Sequence, residues 1–75
     1  MQATKVLDAR GLSCPMPIVR TKKAMDTLQS GDILEVQTTD SGSVNDLTSW
    51  TKSTGHQMLD SKENDGVYVF WIQKA

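Results

Sequence analysis

Polar and apolar positions change period several times along this chain, and each change marks an element. Lys5 to Asp8 is a short apolar run that predicts a strand, and Arg10-Gly11-Leu12-Ser13 reads as the loop after it. Ile18, Thr21, Met25 and Leu28 then recur at helical spacing, which predicts a helix from Pro15 to Gln29. Ser30-Gly31-Asp32 ends it, with the glycine in the C-terminal role. Ile33 to Thr39 alternates, with Leu34, Val36 and Thr38 on one side, and is a second strand. Asp40-Ser41-Gly42-Ser43 makes a turn and supplies a cap for a second helix. Val44, Leu47, Trp50 and Thr51 share one face of that helix, which stops near Gly55. His56 to Lys62 and Val67 to Gln73 are two further strands.

Asn64-Asp65-Gly66 separates the last two strands, and Asp-Gly between alternating runs is a strong hairpin signal. The order is strand, helix, strand, helix, strand, strand. With right-handed crossovers both helices cover one face of a four-stranded sheet. The expectation is therefore a two-layer α/β (α+β) sandwich, one domain over residues 1–75, with the other sheet face uncovered. A two-residue turn at Asp65-Gly66 sets Asn64 opposite Val67, Ser61 opposite Phe70 and Leu59 opposite Ile72, on the helix side with Tyr68. Asp60 then faces Trp71, and Lys62 faces Val69, on the uncovered side.

With 75 residues there is room for a thin core and none for a separate cofactor domain, so any chemistry sits at an element end or on one face. A formal net charge of −1 and only four aromatic residues argue against a general nucleic-acid binder. Met1 to Arg10 holds no apolar core of signal-peptide length, and no stretch is long enough to span a membrane. A cytoplasmic location is expected, with no membrane partner. The chain has one cysteine and one histidine, so an internal disulfide is impossible and neither a metal centre nor a cofactor is expected.

A lone cysteine is either a small buried hydrophobe or a reactive thiol. The local sequence favours the second. In Cys14-Pro15-Met16-Pro17, Pro15 suits the first helical position, which would make Cys14 the N-cap beside the positive end of the helix dipole. A helix N-terminus lowers a cysteine pKa and enriches the nucleophilic thiolate. Pro17 has no N–H, so Met16 would supply the one backbone N–H aimed at the sulfur. A sequence choosing only for stability would use Ser, Thr, Asp or Asn as the cap.

The run Leu7-Asp8-Ala9-Arg10-Gly11-Leu12-Ser13-Cys14-Pro15-Met16-Pro17 closely resembles the L-D-x-x-G-L-x-C-P-x-P signature of the TusA/SirA sulfur carriers. The likeness continues through Lys22-Lys23, Ser30-Gly31-Asp32, Asp40, Asp46-Leu47, Trp50 and Gly55-His56 to Gly66-Val67-Tyr68-Val69-Phe70, nearly the whole chain. The resemblance implies a βαβαββ fold with a mixed sheet in strand order 1-2-4-3. It also implies that Cys14 accepts sulfane sulfur from a donor such as a cysteine desulfurase or rhodanese. The sulfur would pass to an acceptor protein for tRNA thiolation, cofactor synthesis or sulfur metabolism. Such a protein is an enzyme only in the sense of a persulfide-carrying sulfurtransferase. Two departures flank the second helix and bear on partner choice. Gly42 and Ser43 stand where many members have a proline, and Asp46-Leu47-Thr48 replaces D-I-P.

Other residues have modest readings. Asp8 is expected to tie the cysteine loop down by accepting backbone N–H groups, and Gly11 to supply a positive φ there. Arg10, Arg20, Lys22 and Lys23 form either a solvated face or a surface that draws acidic partners and steadies a persulfide anion. Met16 either packs or lines a partner contact. His56 is given no chemistry, and Trp50 belongs to the core. In the implied strand order Ile33, Glu35 and Gln37 join Trp71 and Val69 on the uncovered face, a candidate contact for a second copy or a partner. Two other functions remain in play: an RNA- or protein-binding regulatory module without sulfur chemistry, and a single-thiol redox regulator that borrows its resolving thiol.

Overall fold

The computed structural model describes residues 2–75; Met1, counted above in the N-terminal segment and the domain span, lies outside them. The elements are β1 (Lys5–Ala9), α1 (Met16–Asp26), β2 (Ile33–Thr38), α2 (Ser43–Thr54), β3 (Gln57–Asn64) and β4 (Val67–Gln73). The sheet order is β1-β2-β4-β3. β1 runs parallel to β2, and β4 is antiparallel to both β2 and β3, so the sheet is mixed as expected.

Alternation explains which face is covered. Leu34 and Val36 of β2 and Phe70 and Ile72 of β4 are fully buried, and with Ala24 and Met25 of α1 and Leu47 of α2 they form the core. Trp50 packs against this cluster from α2, alongside Leu7, Ile18 and Leu28. Two buried hydroxyls extend the core at the C-terminal end of β2. Thr38 and Ser43 share a hydrogen bond of 2.6 Å, and the Ser43 hydroxyl also bonds the Asp40 carbonyl at 2.6 Å. A hydroxyl buried without a partner would cost about 1–3 kcal/mol, so Thr38, whose hydroxyl bonds Ser43, depends on it.

The hairpin follows its turn chemistry. Asp65 and Gly66 both have positive φ, 51° and 81°, the geometry that matches the twist of the strands on either side. The pairs Asn64–Val67, Lys62–Val69, Ser61–Phe70 and Asp60–Trp71 are those counted back from the turn. The count fails at Leu59. Met58, not Leu59, lies opposite Ile72, and Leu59 is the extra residue of a β-bulge between Met58 and Asp60. Two adjacent apolar residues there, Met58-Leu59, break the polar–apolar alternation, and the bulge lets Met58 pack on the core.

The uncovered face carries Trp71 beside Glu35, whose carboxylate accepts the indole N–H at 3.0 Å and the Gln37 side-chain N–H at 2.8 Å. The Lys62 ammonium lies 5.7 Å from the indole centroid. Val6 pairs with Glu35 on that same face and is 56% exposed. It adds an apolar residue to the patch that the sequence pattern did not assign.

Strand ends shift by one or two residues from the sequence reading, and α1 differs at both ends. α1 stops at Asp26, because the Thr27 hydroxyl takes the Ala24 carbonyl at 2.6 Å and the Lys74 ammonium takes those of Met25 and Leu28. Gly31 therefore acts beyond the helix, at φ 90° in the turn into β2, rather than as its terminator. α1 also begins one residue later than expected, and that shift changes the chemistry described next.

Candidate functional site

The β1–α1 loop is built almost wholly from polar bonds. The Asp8 carboxylate accepts the Arg10 backbone N–H at 3.1 Å and the guanidinium at 2.9 and 3.1 Å, so it ties the loop down as expected. The guanidinium and these hydrogen bonds hold its carboxyl down to about 2. Gly11 turns the chain at φ 81° and gives its N–H to the Thr39 hydroxyl at 2.8 Å. Ser13 closes a turn by accepting the Met16 N–H at 2.9 Å. The Cys14–Pro15 peptide bond is cis.

These bonds correct the expected cap. Pro15, not Cys14, occupies the N-cap, and no side chain caps the helix. The Met16 N–H is spent on Ser13, so no backbone donor of the first turn aims at the sulfur. Cys14 stands one residue farther from the helix, exposed to solvent. Its own N–H is held by the Asp40 carboxylate at 3.0 Å, and its Sγ donates to Asp46 Oδ2 at 3.6 Å. The expected low pKa is overturned. The hydrogen bond to Asp46 pushes the Cys14 thiol up, and partial desolvation and the charges of Asp46 and Asp40 push the same way.

The structure thus brings Cys14 together with Asp40 and Asp46, neither of which the local motif marks as a site residue. Asp40 heads the β2–α2 turn, where its other oxygen accepts the Gly42 N–H at 3.2 Å. Asp46 lies in the first turn of α2, where a carboxylate is favoured by the helix dipole. Both stand in the stretch that resembles the sulfur carriers, the one sequence signal that pointed to them. Pro17 of α1 is buried, whereas Met16 beside the cysteine is 38% exposed. Arg10 is engaged by Asp8, so it is not a free cation for the sulfur. Arg20, Lys22 and Lys23 are exposed on α1, and none of them makes a hydrogen bond to the sulfur or the two aspartates around it. A shallow cleft of about 220 Å³, lined by Val44, Tyr68, Phe70 and the Ser61–Glu63 stretch, shares no residue with this cluster.

Residues 5–74 match the family model described as Sulfurtransferase TusA. The chain belongs to the TusA sulfurtransferase family. The chain is similar to Bacillus subtilis YrkI, provisionally named a sulfur carrier protein, at 61% identity over 75 residues and all of both chains. Similarity to the sulfur carrier protein TusA of Allochromatium vinosum is 46% over 69 residues, covering 92% of this chain and 91% of that one. Among solved structures, a SirA-like protein from Desulfitobacterium hafniense superposes with a TM-score of 0.83 at 30% identity, covering 93% of this chain and 96% of that one. The βαβαββ fold and its strand order are those of the family.

His56 completes the picture of what the site is not. Its Nδ1 accepts the Ala75 N–H at 3.0 Å and its ring lies 5.1 Å from that of Trp50, a structural role. Among the described residues no group of three or more His, Cys, Asp or Glu could hold a metal ion. No helix there is long and apolar enough to cross a membrane.

Proposed function

We propose that this protein is a sulfur carrier that holds sulfane sulfur as a persulfide on Cys14, receives it from a donor protein and delivers it to an acceptor protein. The observation that carries the reading is the chain's one cysteine, solvent-exposed at the tip of a braced loop, in a member of the TusA sulfurtransferase family. A carrier needs a sulfur that two proteins can reach in turn, and a loop pinned by Asp8, Thr39 and Asp40 presents one in a constant position. Asp8, Gly11, Pro15, Met16 and Pro17 support the site by shaping that loop and the first turn of α1. Met16 and the cations Arg20, Lys22 and Lys23 offer a partner surface. The cytosol, where thiols stay reduced, is the compartment that fits.

Incubation with a cysteine desulfurase and cysteine, or with a rhodanese and thiosulfate, followed by intact-mass measurement with and without reductant, tests the reading. One reductant-labile sulfur should appear on the protein and none on folded Cys14→Ser. Absence of that sulfur with every donor would overturn the proposal. Reversing the charges of Arg20, Lys22 and Lys23 should slow loading at low salt and matter less as salt rises, since exposed charges are screened. Unchanged rates at low salt would return these residues to a solvated face.

A further inference from the structure

Nothing in a sulfur relay by itself calls for a carboxylate against the sulfur. The thiolate is the attacking form of a cysteine, and an adjacent negative charge opposes it. Yet Asp46 Oδ2 sits 3.6 Å from Sγ, a hydrogen-bonding distance for the large sulfur atom. The charged groups that bear on the thiol from the elements packed around it are both acids, Asp46 from α2 and Asp40 from the β2–α2 turn. Asp8 and Arg10 of the adjoining loop are engaged with one another.

We propose that Asp46 is a positioning residue that latches the empty carrier as a neutral thiol and lets the sulfur go once it is loaded. This rests on the persulfide reading of Cys14. A carboxylate only accepts hydrogen bonds, so the latch needs a proton on Sγ. Loading removes that proton. An Sγ–S bond replaces the Sγ–H bond, the S–S bond of the donor persulfide breaks, and the Cys14 proton passes to the donor's departing sulfur. No net oxidation or reduction occurs, and no further reactant is required. Sγ then has nothing to give Asp46. The new terminal sulfur lies about 2 Å beyond Sγ, and as an anion it is turned away from Asp46 and Asp40 toward solvent. One carboxylate thus keeps the empty thiol quiet toward stray electrophiles and presents the loaded sulfur outward. Activation of the thiol falls to the donor, whose docking must relieve the contact.

The test is the rate of Cys14 alkylation by iodoacetamide against pH, for the full chain in its native state, for the same chain unfolded in urea, and for Asp46→Asn. The native midpoint should lie above the unfolded one. Asp46→Asn should bring it down and speed alkylation at neutral pH about fivefold, the effect of removing a unit charge at about 4 Å in watery surroundings. A native midpoint at or below the unfolded one overturns the latch, as does a folded Asp46→Asn protein with the native profile. If the variant does not fold, the native and urea profiles decide by themselves. A protein that loads sulfur but fails this comparison loses the latch alone. One that shows the raised midpoint but never gains sulfur loses the persulfide reading and the release step with it.

Discussion

The two helices begin side by side, and their first turns are built from different chemistry. α2 starts from a closed polar network. Asp40 accepts the Gly42 N–H with its side chain and the Ser43 N–H with its carbonyl, while Ser43 and Thr38 share a hydrogen bond in the core. Neither helix has a side-chain cap; α1 also lacks an acid in its first turn, and two prolines stand there in place of donors. The α1 start borrows from the α2 start. Asp40 reaches across to hold the Cys14 N–H, and Asp46 of α2 takes the Cys14 thiol. The start that carries the stability is α2. The start that carries the sulfur is left bare, and its electrostatics come from its neighbour. A sulfur that must be exchanged between proteins gains from such an arrangement, because its own helix need not be disturbed when the contact to Asp46 is broken.

Substitutions at the two helix starts can break this division of labour. Ser43→Ala removes the hydroxyl that satisfies buried Thr38 and should have the largest effect on stability, about 1–3 kcal/mol. At about 4–8 °C per kcal/mol for a domain of this size, the loss shows plainly in a thermal melt. Cys14 alkylation of the folded variant should be unchanged; a change would mean that the sulfur end does share the stability of the α2 start. Asp40→Ala acts on both starts. It loses the bonds to the Gly42 and Cys14 N–H groups, for about 1 kcal/mol, and it removes one of the charges that hold the thiol protonated. A melt should show the smaller drop and Cys14 should alkylate faster below its midpoint. Slower alkylation would deny that Asp40 bears on the sulfur.

Asp8→Asn should have the smallest effect, and one confined to a pH window. The folded-state pKa of Asp8 is depressed to about 2, so its contribution is present above the unfolded value, about 3.9, and is lost as pH falls through about 2. Both groups of the Asp8–Arg10 pair are exposed, which keeps the contribution small. Melting temperatures of variant and parent should differ slightly near neutrality and converge in strong acid. A difference that persists below the folded pKa would show that Asp8 acts through packing rather than through charge.

Much of this molecule was legible in local patterns. The alternation in β2 and β4 sorted core from uncovered face. Asp65-Gly66 set the hairpin register as far as Asp60, and Cys14-Pro15-Met16-Pro17 marked a helix start with an exposed sulfur. Each of these rests on residues within a turn or two of one another, where backbone sterics and side-chain period decide the outcome. The bulge at Leu59 was not legible, since it depends on how Met58 meets a core contributed by other elements. The state of the thiol was decided at longer range still. Asp40 and Asp46 lie 26 and 32 residues from Cys14 in sequence and reach it because the ends of β1 and β2 adjoin in the sheet. A cysteine before a proline-rich helix start predicts an acidic thiol when only its own helix is considered. The field at a sulfur atom is the sum over whatever the fold brings within a few ångströms, and here the fold brings carboxylates.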